Sequence, residues 1–68
     1  MEIRVVEASM VEIIGEYGIV KVKEEIVDYN GKIFKRKTVY DVCLEYGEGD
    51  IVTSCRTRSE ARKWAQEN

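Results

Sequence analysis

Two residues near the middle of the chain, Asn30-Gly31, constrain its folding more than any other feature. They separate residues 19–28 from residues 33–40, two runs rich in β-branched and aromatic side chains. Asn-Gly readily supplies the backbone conformations of a tight hairpin turn. A two-residue turn at this pair sets Tyr29 opposite Lys32 and carries a register outward. Glu24 then meets Lys37, Glu25 meets Arg36, Val22 meets Val39 and Val27 meets Phe34. Opposite-charge and apolar cross-strand pairs each contribute a few tenths of a kcal/mol to about 1 kcal/mol. Turn chemistry and side-chain pairing therefore select the same antiparallel hairpin.

Further turns extend the pattern in both directions. Gly15-Glu16-Tyr17-Gly18 predicts a reversal that lays an N-terminal strand on residues 19–28, with Glu12 opposite Lys21 and Ile14 opposite Ile19. Ser9-Met10-Val11-Glu12 also reads as a capping box, which would open a short helix. The β-branched residues Val5, Val6, Val11, Ile13 and Ile14 favour the strand. Gly47-Glu48-Gly49-Asp50 predicts another hairpin, joining residues 39–46 to residues 51–55. If its loop is the three residues Glu48-Gly49-Asp50, Cys43 faces Cys55 and a disulfide between them is feasible. A tight turn at Glu48-Gly49 instead sets Val42 opposite Cys55 and sends the two sulfurs to different faces.

The hydrophobic period changes near the C-terminus. Thr57-Arg58-Ser59-Glu60 is a capping box, and Ala61, Trp64 and Ala65 follow at helical spacing. A helix of about 11 residues is marginal alone, so it must dock on the sheet through Trp64. The expected fold is α+β and one domain over residues 1–68: an antiparallel β-meander of three to four strands with one C-terminal α-helix packed on one face. Ile14, Ile19, Val27, Phe34, Tyr40, Val42, Leu44, Tyr46 and Ile51 form the bed expected for Trp64. The other face carries Val11, Ile13, Val20, Val22, Ile26, Ile33 and Val39 among its charges, too many apolar groups for a wet face. A homodimer packed through Val11, Ile13, Val20, Val22 and Val39 would cover it. Residues 1–14 folded across the patch are the alternative cover.

Composition narrows the function classes. The chain has no histidine, which removes His-dependent triads and most zinc hydrolase chemistry. Two cysteines cannot complete a structural zinc site, and no phosphate loop or dinucleotide fingerprint is present. Asp41, Glu45, Glu48 and Asp50 supply carboxylates, but 68 residues leave little room for a water-excluding cleft. A non-catalytic protein without cofactor or metal is expected. No apolar run approaches the roughly 20 residues a membrane helix needs, and no secretion signal opens the chain, so a cytoplasmic location is expected. Abundant Glu and Lys with no proline lean towards a thermophile.

Charge is unevenly placed. Residues 1–31 hold seven acids against three bases, whereas residues 32–68 hold eight bases against six acids. The bases gather as Lys32, Lys35, Arg36 and Lys37, then Arg56, Arg58, Arg62 and Lys63. Such clusters are either solvated surface or the footprint of a polyanion. The expected function is a nucleic-acid-binding or regulatory module, with DNA as the partner and Lys32, Lys35, Lys37, Arg56 and Arg58 as contacts. The alternative is a protein-interaction or assembly module that homodimerises through its second sheet face.

Two segments resemble known families. Ile13-Ile14-Gly15-Glu16-Tyr17-Gly18 is similar to the backbone-clamping loop of KH domains. The strand-like alternation of Ile19, Val20 and Val22 after it favours a plain turn. Residues 53–65, with Thr57, Glu60, Ala61 and Trp64 at the marker positions, resemble the last strand and helix of the arm-site DNA-binding domain of tyrosine integrases. That resemblance implies three antiparallel strands, a C-terminal helix, and a sheet laid in the major groove by the face away from the helix.

Overall fold

The central hairpin forms, with a different turn at its tip. In the computed structural model, which describes residues 1–68, strands β2 (Tyr17–Val27) and β3 (Ile33–Cys43) pair antiparallel. Val22–Val39, Glu24–Lys37 and Glu25–Arg36 stand opposite one another as expected. The loop, however, has three residues. The Asp28 N–H donates to the Lys32 carbonyl at 2.9 Å, and the Gly31 N–H donates to the Asp28 carbonyl at 3.1 Å. The Asp28 carboxylate accepts from the backbone N–H groups of Asn30 and Lys32, at 2.9 and 3.0 Å. Gly31 alone takes a positive φ, +81°. An Asp side chain that caps its own turn stabilises this geometry without a left-handed Asn30. The ladder absorbs the extra residue in a bulge, so Val27 meets Ile33 rather than Phe34.

β1 (Glu2–Ile14) is strand throughout, and no helix opens at Ser9. Gly15 and Glu16 make a two-residue turn, Gly15 supplying φ +60°. Tyr17 and Gly18 therefore belong to β2, and Glu12 faces Ile19 instead of Lys21. Bulges between Val5 and Glu7 and between Met10 and Glu12 shift the register twice more. Gly18 serves close approach, not turning. A Cβ placed on it would lie 2.4 Å from the Gly47 backbone, which crosses directly above.

The β3–β4 connection follows neither expected form. Its loop runs over residues 44–50 and contains a 3₁₀ turn at Glu45–Gly47, with Glu45 and Tyr46 at φ +53° and +60°. The Tyr46 N–H donates to the Glu16 carbonyl at 2.9 Å, tying this loop to the β1–β2 turn. β4 (Ile51–Cys55) then pairs so that Cys55 faces Tyr40 and Cys43 faces Ile51. Both cysteines are free, which overturns the disulfide. Cys55 borders the core under the helix, whereas Cys43, adjacent to Val42 on a pleated strand, points to the other face.

Helix α1 (Arg58–Glu67) starts where the capping box places it, with Thr57 Oγ1 accepting from the Glu60 N–H at 3.2 Å. Ala61 and Ala65 bury against Ile19 and Val42. Val11, Ile14, Tyr17, Tyr40, Cys55 and Trp64 surround this small core. Trp64 meets Tyr17 edge to face, ring centroids 5.3 Å apart. The sheet order is β1-β2-β3-β4, an antiparallel meander with one C-terminal helix on one face. The helix covers one end only, and the molecule is elongated at 43 × 20 × 16 Å. No helix is long and apolar enough to cross a membrane.

Several side chains leave their expected faces. Val11 sits at the second β1 bulge and packs on the helix-side core, while Phe34, Tyr46 and Ile51 are exposed. On the face away from the helix, Val22 is buried between its cross-strand neighbours Ala8 and Val39. Val20 and Val39 are half-buried, and Gly47 crosses near Gly18 and the Met10 sulfur. Of the five residues expected to form an open dimer patch (Val11, Ile13, Val20, Val22 and Val39), Ile13 alone is exposed. Residues 1–14 extend the sheet; they do not fold across it.

Candidate nucleic-acid interface

β4 pairs with only the last third of β3. The ladder runs from Tyr40 to Cys43, so residues 33–39 have no strand partner on that side. Beyond the end of β4, chain direction changes at Arg56 and Thr57 before the helix begins. The corner so formed is an open groove lined by Lys35, Lys37, Thr38, Val39, Ser54, Cys55 and Arg56. Alternation along β3 puts Lys35, Lys37 and Val39 on the face away from the helix.

Ion pairing sorts the eleven bases into two groups. Arg4 and Arg36 share Glu25, Lys23 meets Glu7, and Arg58 and Arg62 share Glu12. Lys35, Lys37 and Arg56 have no carboxylate within 4 Å, and all three are exposed. Lys21, Lys32 and Lys63 are likewise unpaired but lie outside the groove, Lys32 at the hairpin tip. Glu24 stands across the ladder from Lys37 without closing an ion pair. Asp41, nearest in sequence to the groove among the acids, is buried and accepts from the Ser54 hydroxyl. The exposed acids Glu16, Glu45, Glu48 and Asp50 lie towards the opposite end of β3, at the two loops there.

Arg58 leaves the expected set. Its Nε and Nη2 donate to Glu12 Oε1 at 3.2 and 3.0 Å, and Nη2 also donates to the Val11 carbonyl at 3.1 Å. Arg62 Nε donates to the other Glu12 oxygen at 3.0 Å. Two arginines one helical turn apart thus clamp α1 to β1 through one carboxylate, whose side chain is 21% exposed. The i, i+4 spacing of Arg58 and Arg62 was a readable signal for a shared acid, but the register error at Glu12 hid which acid. Thr38 and Ser54, neutral hydroxyls in the groove, carried no signal in the sequence.

The thiols are poor nucleophiles. Burial pushes the Cys43 thiol up, with the Asp41 charge adding to it. Burial also raises Cys55, and Glu60 and Asp41 add to the shift. Both therefore remain protonated at neutral pH. No three metal-ligating side chains converge anywhere in the fold. The integrase-like positions have local structural roles: Thr57 caps the helix, Ala61 is buried and Trp64 packs on Tyr17. Compared with known proteins, the chain matches no family model, no curated protein and no solved structure.

Proposed function

We propose that this chain is a non-catalytic nucleic-acid-binding module that holds a phosphate backbone along the open edge of β3. Lys35, Lys37 and Arg56 are the contacts, Thr38 is a neutral donor beside them, and Lys32 continues the row at the hairpin tip. The observation that carries this reading is the sorting of charge. Three unpaired, exposed cations line one groove, while five other bases are neutralised by carboxylates. The acidic loops at the other end of β3 would orient the molecule on a polyanion. The integrase-like helix entry points to the same ligand class and to the same sheet face.

A salt titration of binding, read by fluorescence anisotropy on labelled duplex and single-stranded oligonucleotides, tests the reading. Each neutralised phosphate contributes about −0.9 (duplex) or −0.7 (single strand) to the slope of log K against log salt. Three or four contacts give a slope of about −2 to −4. The triple variant Lys35→Ala/Lys37→Ala/Arg56→Ala should abolish binding, and Lys63→Ala on the helix should not change it. Absence of binding at about 50 mM salt, where such electrostatic contacts are strong, refutes the proposal. Equal loss in the Lys63→Ala control refutes the assignment of the groove.

A further inference from the structure

We infer that two copies of this chain join edge to edge through β1, making one continuous eight-stranded antiparallel sheet. β1 is the outermost strand, paired with β2 on one side and without a strand partner on the other. An open strand edge is a template for another strand, and proteins that stay monomeric usually blunt it. Here Ile3, Val5, Val6, Met10 and Ile13 are each between 51% and 63% exposed on that strand. A row of this kind on a chain with so small a core marks an interface.

The sequence of β1 identifies the occupant as a second copy, because the strand is complementary to itself. Set antiparallel about a two-fold axis at Ala8, Arg4 of one copy faces Glu12 of the other, and Glu7 faces Ser9. Ile3 then faces Ile13, and Val5 meets Met10 on the same face, with the bulge residues Val6 and Val11 beside them. No like charges stand opposite, and every exposed apolar residue of the row gains an apolar neighbour. Moving the axis to Glu7 sets Glu7 on itself and Glu2 on Glu12; moving it to Ser9 sets Glu7 on Val11 and Glu12 on Val6. Like charges directly opposite are destabilising.

Side-chain direction agrees with the Ala8 axis. Arg4 and Glu12 pair with Glu25 and Ile19 of β2, both odd positions of one pleat, so they share the helix face. Ile3 and Ile13 pair with Ile26 and Gly18, so they share the other face. The two bulges make this possible, since they restore the parity that a ten-residue separation with a single bulge would break. A rival axis between Val5 and Val6 also sets Arg4 against Glu7, but it leaves Ile13 uncovered and sets Met10 on Met1, which lies outside the strand. Pairing at β1 leaves the β3 groove at the far edge of each copy, so the inference stands apart from nucleic-acid binding.

The test is light scattering on the full chain, followed by cross-linking. The native protein should show twice the 7.9 kDa chain mass. Val6→Lys/Met10→Lys, at exposed positions, should halve that mass with an unchanged far-UV circular dichroism spectrum. Ala8→Cys should form a covalent dimer on oxidation, because opposed residues at the axis come within disulfide reach. Glu2→Cys, which faces Ile14 of the other copy, should not. A monomeric native chain at every concentration overturns the inference and leaves β1 open to some other extended chain. A dimer that survives the lysine pair overturns it too, and cross-linking at Val5→Cys in place of Ala8→Cys overturns the register.

Discussion

Gly18→Ala probes the packing on which the fold most narrowly depends. The added Cβ would lie 2.4 Å from Gly47 Cα and N and 2.5 Å from the Tyr46 carbonyl carbon, all backbone atoms that cannot rotate away. Relief requires the 44–50 loop to lift by roughly 1 Å, since ordinary carbon contacts lie near 3.5 Å. Overpacking of this kind costs about 1–3 kcal/mol. Lifting the loop also strains the Tyr46 N–H to Glu16 carbonyl bond, worth about 1 kcal/mol. Gly18 has no positive φ, so alanine adopts its backbone freely and recovers about 0.4–1 kcal/mol through a less disordered unfolded chain. The net loss is about 1–3 kcal/mol, against about 3–10 kcal/mol for the whole of a chain this size. Urea unfolding followed by Trp64 fluorescence and circular dichroism measures it. Gly15→Ala is the comparison: no atom lies within 4 Å of its Cβ, so only the φ of +60° is penalised, at about 1–2 kcal/mol. An unfolding midpoint for Gly18→Ala equal to that of the native chain would refute the close approach of the loop.

Glu12→Gln should loosen the helix clamp by about 0.5–1.5 kcal/mol, discounted because both arginines are half exposed. A double-mutant cycle with Arg62→Met should show coupling, and purely additive effects would dismiss the clamp. Thiol counting on unfolded, unreduced protein should find two free thiols per chain. In the folded protein, alkylation should be slow at neutral pH and rise in alkali, because both thiols are held above their ordinary value. The unfolded chain loses those protons first, so stability should fall as pH climbs through the ordinary thiol range; stability that rises there contradicts the shift.

What the sequence determined by itself was local. Asn30-Gly31 marked the central hairpin, and Glu24–Lys37 and Glu25–Arg36 held its register because neighbouring strands pair side chain to side chain. Thr57 and Glu60 marked the helix start, since a cap is made within four residues. Lys35, Lys37 and Arg56 were legible as candidates, with Lys32 and Arg58, from the clustering of bases along the chain. Tertiary structure decided the rest. Gly18 reads as a turn residue until Gly47 is seen lying on it, and that contact spans 29 positions in the chain. Bulges at Val6 and Val11 turned Val11 to the core and gave Glu12 to Arg58 and Arg62. A seven-residue loop separated Cys43 from Cys55. Each of these moves the register by one or two residues, and a shift by one residue sends every later side chain to the other face. Short-range preferences are nearly indifferent to such a shift. Packing against a distant strand, loop or helix is not, because there the displaced side chain either meets a partner or leaves a charge buried.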